Sequence, residues 1–332
     1  MLTCPEFNIN PITIMNISYS DPLINGWARM KKILFSPFDL NKWFMIGFTA
    51  FLAGLADCQG GNGGGGNGRT GKGIDIGDIA EFPATAWNWF LDHSWWATLI
   101  VFGIFVIFFL ALLINWLSSR GKFMFLDNVV HNRALVSQPW REFKKHGNSV
   151  FLWRLVFGLI CLAIFSFMVF LFFSFMMNLY LGNYPHSAKV PAIIGMVLLF
   201  LTFMVLSGYI RLFLFDFVVP IMYKENITAT KAWGKFLTLL SRHFGYFLVY
   251  GLFIFLLTII VIILIITAGL MTCCIGFIFL IIPYIGSVIL LPVSVTFRSL
   301  SLEFLEQFGP DYKILPDIET LKTGESFEKR NN

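Results

Sequence analysis

From Phe244 to Phe297 the chain carries no charged residue. A helix needs about 20 apolar residues to cross roughly 30 Å of hydrocarbon, so this run is too long for one crossing and right for two. The turn is expected at Thr272-Cys273-Cys274-Ile275-Gly276, and Pro283 and Pro292 predict a bent second helix. Ser94–Ser119, Leu155–Ala188 and Val190–Ile210 are further uncharged windows of crossing length. Trp43–Ala56 is a shorter one, worth about 21 Å of helix. Charged residues make up 13% of the chain, against about 25% in soluble domains, and 57% of residues are apolar. Such a composition excludes a soluble enzyme, a disordered protein and a disulfide-stapled secreted module. In lipid every backbone polar group must be satisfied within its own element, so the expected fold is all-α.

Lys and Arg orient the segments. With six spans, the N-terminal segment, the stretches 119–154 and 211–243, and the C-terminal tail share one face. That face holds all but three of the 24 basic residues. The other has Arg69, Lys72 and Lys189 among Asp57, Asp75, Asp78, Glu81 and Asp92. The reading is a multi-pass protein of a bacterial inner membrane with both termini cytoplasmic. Its parts are a loose tail over 1–26, a six-span domain over 27–308 and a cytoplasmic tail over 309–332. The outer loop contains a glycine-rich linker, residues 59–73; its Gly71-Lys72-Gly73 lacks the Ser or Thr of a phosphate-binding loop.

The chain also repeats itself. Trp140, Phe143, Phe151, Val156 and Gly158-Leu159 recur in register as Trp233, Phe236, Phe244, Val249 and Gly251-Leu252. Trp27, Met30 and Phe38 form a fainter third copy. Each unit closes on a cation, four residues and an acid: Lys122 to Asp127, Arg211 to Asp216, Arg298 to Glu303. The expected architecture is therefore a polytopic membrane helix bundle of three parallel hairpin repeats, about 27–131, 132–222 and 223–308. Each would begin with an interfacial amphipathic helix anchored by Trp27, Trp140 or Trp233. In the first, Trp27, Met30, Leu34 and Phe38 share a face with Arg29, Lys31 and Lys32 off it. Such helices suit anionic headgroups at the cytoplasmic face.

Charges near hydrocarbon need partners. Lys122, Asp127, Arg154, Arg211, Asp216, Arg298 and Glu303 are the candidate charge pairs. Residues five apart on a helix do not face each other, so each signature cation is expected to reach the acid of a neighbouring unit, closing a charged ring. The five cysteines show no metal spacing, although Cys58 and the Cys273-Cys274 pair would share the outer side. Neither a catalytic constellation nor a cofactor motif is present, and no compact basic domain offers a nucleic-acid surface.

Asp216-Phe-Val-Val-Pro220, Glu225 and Ala232-Trp-Gly-Lys-Phe236, with Arg120-Gly-Lys-Phe-Met-Phe-Leu-Asp127 as a sister motif, resemble an uncharacterised bacterial family of six-span membrane proteins. That family is related to the membrane domain of some glycerophosphoryl diester phosphodiesterases. The resemblance covers most of residues 20–308 and implies architecture, not activity. The expected function is a non-enzymatic membrane module that binds or organises lipids or protein partners, other copies of the chain among them. A transporter or channel for a lipid or small amphiphile is the alternative.

Overall fold

The computed structural model describes residues 17–57, 89, 91–180, 186–272 and 275–317, and among these every regular element is helical. A short helix α1 (Ser20–Phe35) turns into α2 (Leu40–Gly54), whose first turn is capped by the Asp39 carboxylate accepting from the Asn41 N–H at 2.9 Å. The long α3 (Ser94–Val130) is followed by α4 (Ser137–Glu142), the long α5 (Lys144–Tyr180) and α6 (His186–Phe213). A π-helical turn, Leu214–Val218, joins α6 to α7 (Val219–Glu225) without a break. Then come the amphipathic α8 (Ala229–Arg242), α9 (Phe244–Met271), and three helices separated by kinks, α10 (Ile275–Ile281), α11 (Pro283–Ile289) and α12 (Leu291–Glu306). Pro283 and Pro292 stand at the two kinks, where a ring without an N–H opens the helix as expected.

Among the described residues, four helical stretches are long and apolar enough to cross a membrane: Ser94–Val130, Lys144–Asn178, Val190–Glu225 and Phe244–Met271. Each is split into two unlike parts. The last turns of α3, Ser118 to Val130, are buried without interruption, whereas nearly every residue from Ser94 to Ile114 is exposed. A weaker version of this division falls on the others, with buried positions gathered toward the base at Gly147 and Val150 of α5, from Phe213 to Met222, and at Phe247, Tyr250, Gly251 and Ile254 of α9; Met168 is a buried position within the α5 arm. The result is a packed base from which apolar arms rise. The arm of α3 above Ser118 is about 36 Å long, enough to cross the roughly 30 Å of a bilayer core.

Two apolar cores fill the base. One joins α1, α2, α3 and α12 through Met30, Ile33, Ile46, Phe125, Val129 and Leu291. The other is largely aromatic. Phe217 on the π-turn lies 5.3 Å from Phe236 in a near-parallel stack, 5.0 Å from Phe247 edge-on and 4.9 Å from Tyr250. Aromatic pairs of this geometry add about 0.5–1.5 kcal/mol each beyond area burial. Glycines let the backbones close up: a Cβ on Gly121 would meet the Ala53 N at 2.6 Å, and one on Gly26 would meet the Leu300 N at 3.1 Å. So α2 lies directly on α3, and α1 on α12.

Three expectations are revised here. The stretch 1–26 is not all tail, since α1 begins at Ser20 and Ser18 is held to Gln307 by two hydrogen bonds, at 2.8 and 2.9 Å. The face that α1 buries is Gly26, Arg29, Met30, Ile33 and Leu34, while Trp27 and Phe38 are exposed. Arg29, read as lying off the apolar face, is 2% exposed because α1 packs on α12 rather than on lipid, and Glu303 of α12 supplies the opposite charge at 3.0 Å. The tail beyond 308 also joins the base: Leu315 is buried, and the Pro316 carbonyl accepts from Arg29 at 2.9 Å. The glycine-rich linker and four of the cysteines lie outside the described residues; Cys161 is a free thiol on an arm.

Candidate functional site

Where arms meet base, ionisable groups from five helices form a charged floor. Asp57, one turn past α2, pairs with Lys122 of α3 and, at 3.1 Å, with Arg154 of α5. Lys122 is 4% exposed, so its charge depends on this partner. Arg154 also donates to the Ser118 and Ser119 hydroxyls at 3.3 and 3.4 Å, and Ser118 in turn donates to the Ala53 carbonyl at 2.8 Å. The Lys122 ammonium sits 3.0 Å from the centre of the Phe215 ring, and the Arg154 guanidinium 5.0 Å from it. One carboxylate and one aromatic face thus serve two cations.

The π-turn completes the floor for a reason legible in the covalent structure. The Val219 N–H is committed to the Leu214 carbonyl, and Pro220 has no N–H. Neither the i+4 nor the i+5 residue can then satisfy the Phe215 carbonyl. Arg298 of α12, buried at 8% exposure, donates to it at 2.7 Å. On the next residue, Asp216 accepts from the Tyr250 hydroxyl of α9 at 2.9 Å and lies within the electrostatic reach of Arg298 and Lys122. Single π-turns inside α-helices recur at functional sites.

A second network lies deeper in the base. Asp127, 1% exposed, takes a forked contact from Arg133 at 2.8–3.1 Å and a hydrogen bond from Tyr223 at 2.9 Å, with His131 at 3.1 Å. Beside it Asn128 and the Leu135 backbone exchange two hydrogen bonds of 3.0 Å, which fixes the loop after α3. Beyond the arms, Glu306 sits partly covered at the end of α12. Burial holds its carboxyl above the usual carboxylate range, against the opposing pull of Lys313 at 3.5 Å.

The signature residues are therefore brought together, but not as a simple ring. Lys122 pairs with Asp57, Asp127 with Arg133, and Glu303 with Arg29. Arg298 and Asp216 are the cross-unit neighbours. Arg211 is exposed, at the foot of the α6 arm. Of the three tryptophans, Trp27 is exposed with Lys31 5.7 Å above its ring. Trp140 shares the Arg120 guanidinium with Trp116, and Trp233 stacks on Trp153 at 5.1 Å.

Asp57 is the residue that sequence reasoning misplaced. Charge patterning puts it at the start of the outer loop, yet it lies level with Lys122 and Arg154. The reason is length: α2 runs beside only the last part of α3, with Lys42 against Asn132 at 2.7 Å at one end and Ala53 against Gly121 and Ser118 at the other. Tyr250 and Tyr223 were missed as well. A tyrosine inside an apolar run, which needs a partner for its hydroxyl, was the available signal.

Long apolar arms on a base that neutralises its own buried charges define a helical protein of membrane type. The chain belongs to a family of unknown function, DUF7544, which it matches over residues 20–303. Neither a curated protein nor a solved structure matches it.

Proposed function

We propose that the protein is a non-enzymatic module of a bacterial inner membrane whose base lies at the cytoplasmic face and whose arms organise the lipid between them. The observation that carries this reading is the exposure of the arms. Phe105, Ile107, Phe170, Met204 and Phe255 are all more than 60% exposed, and among the described residues the α5 and α6 arms meet at Phe165 and Phe172 against Phe200, at 6.2 and 6.5 Å. An apolar surface this extensive is stable only in hydrocarbon. Arms that do not close on one another leave room for acyl chains rather than a protein-lined pore.

The reading keeps three hairpin units and six crossings. α10 and α11 form a kinked return from the tip of α9 to the base, where Tyr284 donates to the Phe44 carbonyl of α2 at 3.0 Å. The second-helix ends carrying Lys122–Asp127, Arg211–Asp216 and Arg298–Glu303 then meet at one level, as units related by an axis along the membrane normal would. The exposed Lys231, Lys235 and Arg242 of α8 support contact with anionic headgroups.

In a background with the five native cysteines replaced by serine, single cysteines replacing Ile107, Leu162, Leu201 and Ile260 test the reading in reconstituted bilayers, and the same background serves the orientation test. Each should be quenched, once labelled with a fluorophore, by brominated acyl chains and stay unreactive to a water-soluble thiol reagent. Reactivity to the reagent along one line of positions would establish a hydrated path and the transporter alternative. The orientation is tested by Lys145→Cys, which an impermeant reagent should leave unmodified in intact cells.

A further inference from the structure

Between the arms of α5 and α6 lies a window with two closed edges. Its lower edge is the floor, where the Phe215 ring of the π-turn stands 5.0 Å from the Arg154 guanidinium of α5. Its upper edge is the contact of Phe165 with Phe200 at 6.2 Å. Phe165 is eleven residues beyond Arg154, and Phe200 eleven before Arg211, about three helical turns in each case. Arg154 thus shares a face with Phe165 and Arg211 with Phe200, and those faces look at each other across about 16 Å of height. Gly158, one turn above Arg154, and Gly208, one turn above Arg211, fall on the same faces. A Cβ on either would meet nothing within 4 Å among the described residues, so the space beside both backbones is open. One turn higher, Leu162 and Met204 are 60% and 72% exposed.

The foot of this window is electrically unbalanced. Asp57 serves both Lys122 and Arg154, and Asp216 lies within reach of Arg298. Arg211, within electrostatic reach of Arg154, is exposed and has no carboxylate partner among the described residues. Four cations of the floor thus stand against two carboxylates. Uncompensated charge at the edge of hydrocarbon is costly, so the excess calls for an anion. Arg211 lies one turn above Phe215 on the same face, over the ring that Lys122 and Arg154 approach. Two guanidinium groups at one opening offer the forked donors that suit a phosphate.

Depth names the source of that phosphate. Arg154 donates to Ser118 and Ser119, where α3 leaves the base, and the α3 arm above them is long enough to cross the bilayer core. With the base at the cytoplasmic face, both arginines stand at the headgroup level of the inner leaflet. The anion that a bilayer itself supplies there is a lipid phosphate, and an acyl chain follows it into the open space above. Resting on the membrane reading, we propose that the window between α5 and α6 binds one anionic phospholipid, with its phosphate on Arg154 and Arg211 and an acyl chain past Gly158 and Gly208. The glycines leave room for the chain, and the surplus of cations selects an anionic lipid over a zwitterionic one.

The test is native mass spectrometry of the full chain released from nanodiscs of mixed phosphatidylglycerol and phosphatidylcholine. Wild-type protein should retain phosphatidylglycerol in excess. Arg211→Gln, which strands no carboxylate, should lower that excess about fivefold, the factor set by one basic side chain near an anionic surface. Gly158→Leu with Gly208→Leu keeps every charge but fills the window, and should lower the excess as far. Arg242→Gln, at an exposed arginine of α8 outside the window, should leave it unchanged. An unchanged excess in either window variant, or an equal loss in Arg242→Gln, would overturn the site. Displacement of the lipid by inorganic phosphate at millimolar concentration would do so too, since the floor would then be a free-anion site. No excess in the wild type would also overturn it, while the membrane reading stands or falls separately on the quenching of labels along the arms. Thermal melting of each variant, expected to match wild type, separates loss of binding from loss of fold.

Discussion

Gly121 and Gly103 lie on the same helix, about 27 Å apart along it, yet they inhabit different solvents. A methyl group at Gly121 would collide with the Leu52–Ala53 backbone at 2.6 Å, whereas one at Gly103 would meet nothing within 4 Å. Gly158, Gly195 and Gly208 in the arms are as open as Gly103. Every long helix thus changes partners midway, from protein in the base to lipid in the arms. The contrast extends to polar groups. In the base several bond between helices, as Arg154 does to Ser118 or Tyr250 to Asp216, although Thr49, Thr296 and Ser301 turn back to their own helices. In the arms Thr98 and Thr202 return their hydroxyls to carbonyls of their own helix, both at 2.8 Å. Specificity of fold therefore resides in the base, and the arms contribute length and apolarity.

The sharpest way to break this division is at Asp57. Asp57→Ala strands Lys122 and Arg154 together and should cost about 3–5 kcal/mol, read as a large fall in melting temperature in detergent. Leu162→Ala in an arm should barely move it, and comparable losses from both would dissolve the distinction between base and arm. Next comes the glycine pair. Gly121→Val forces α2 off α3 at about 1–3 kcal/mol or more, while Gly103→Ala should be neutral or stabilising by up to about 1 kcal/mol. Tyr250→Phe removes the one hydroxyl that Asp216 accepts and should cost about 1–3 kcal/mol. Tyr284→Phe, whose hydroxyl meets a partly exposed carbonyl, should cost less, by the same melting measurement.

The smallest effects lie on the outer surface of the base. Lys235→Ala breaks an exposed pair with Glu225 and should change stability by less than about 1 kcal/mol, vanishing in high salt. Glu306 gives a pH signature. Its folded pKa is raised, so the stability it contributes is full below the ordinary carboxylate value and is lost as pH rises through the raised value. Glu306→Gln should flatten the melting curve's pH dependence in that window, and an unchanged profile would show that its burial has no thermodynamic weight.

Apolarity and charge spacing made the arms legible. The windows beginning at Ser94, Leu155, Val190 and Phe244 each fall on a long helix, and the kinks at Pro283 and Pro292 fall where proline chemistry puts them. Arg154, Arg211 and the signature residues were found as charges abutting hydrocarbon. Their partners were not, because pairing in the base is decided by how deeply α2 reaches along α3 and by which face α1 gives to α12. Both depend on the close contacts at Gly121 and Gly26, for which an apolar pattern holds no signal. Arg29 shows the cost of reading amphipathicity alone: on a helix packed against protein, a cation can belong to the buried face if the opposing helix offers an acid. The gripping of the Phe215 carbonyl by Arg298 was readable in principle from Pro220, but the donor's identity required the fold.

The double hydrogen bond between Ser18 and Gln307 brings the two flanks of the helical body together and nearly makes a loop of it. A covalent bridge from 307 back to 18 would need only a short linker, so new ends could be cut between hairpins, after α3 or after α7, and the polypeptide inserted in a different hairpin order. A permuted chain that still assembles the same base would mean that no one hairpin has to be made first.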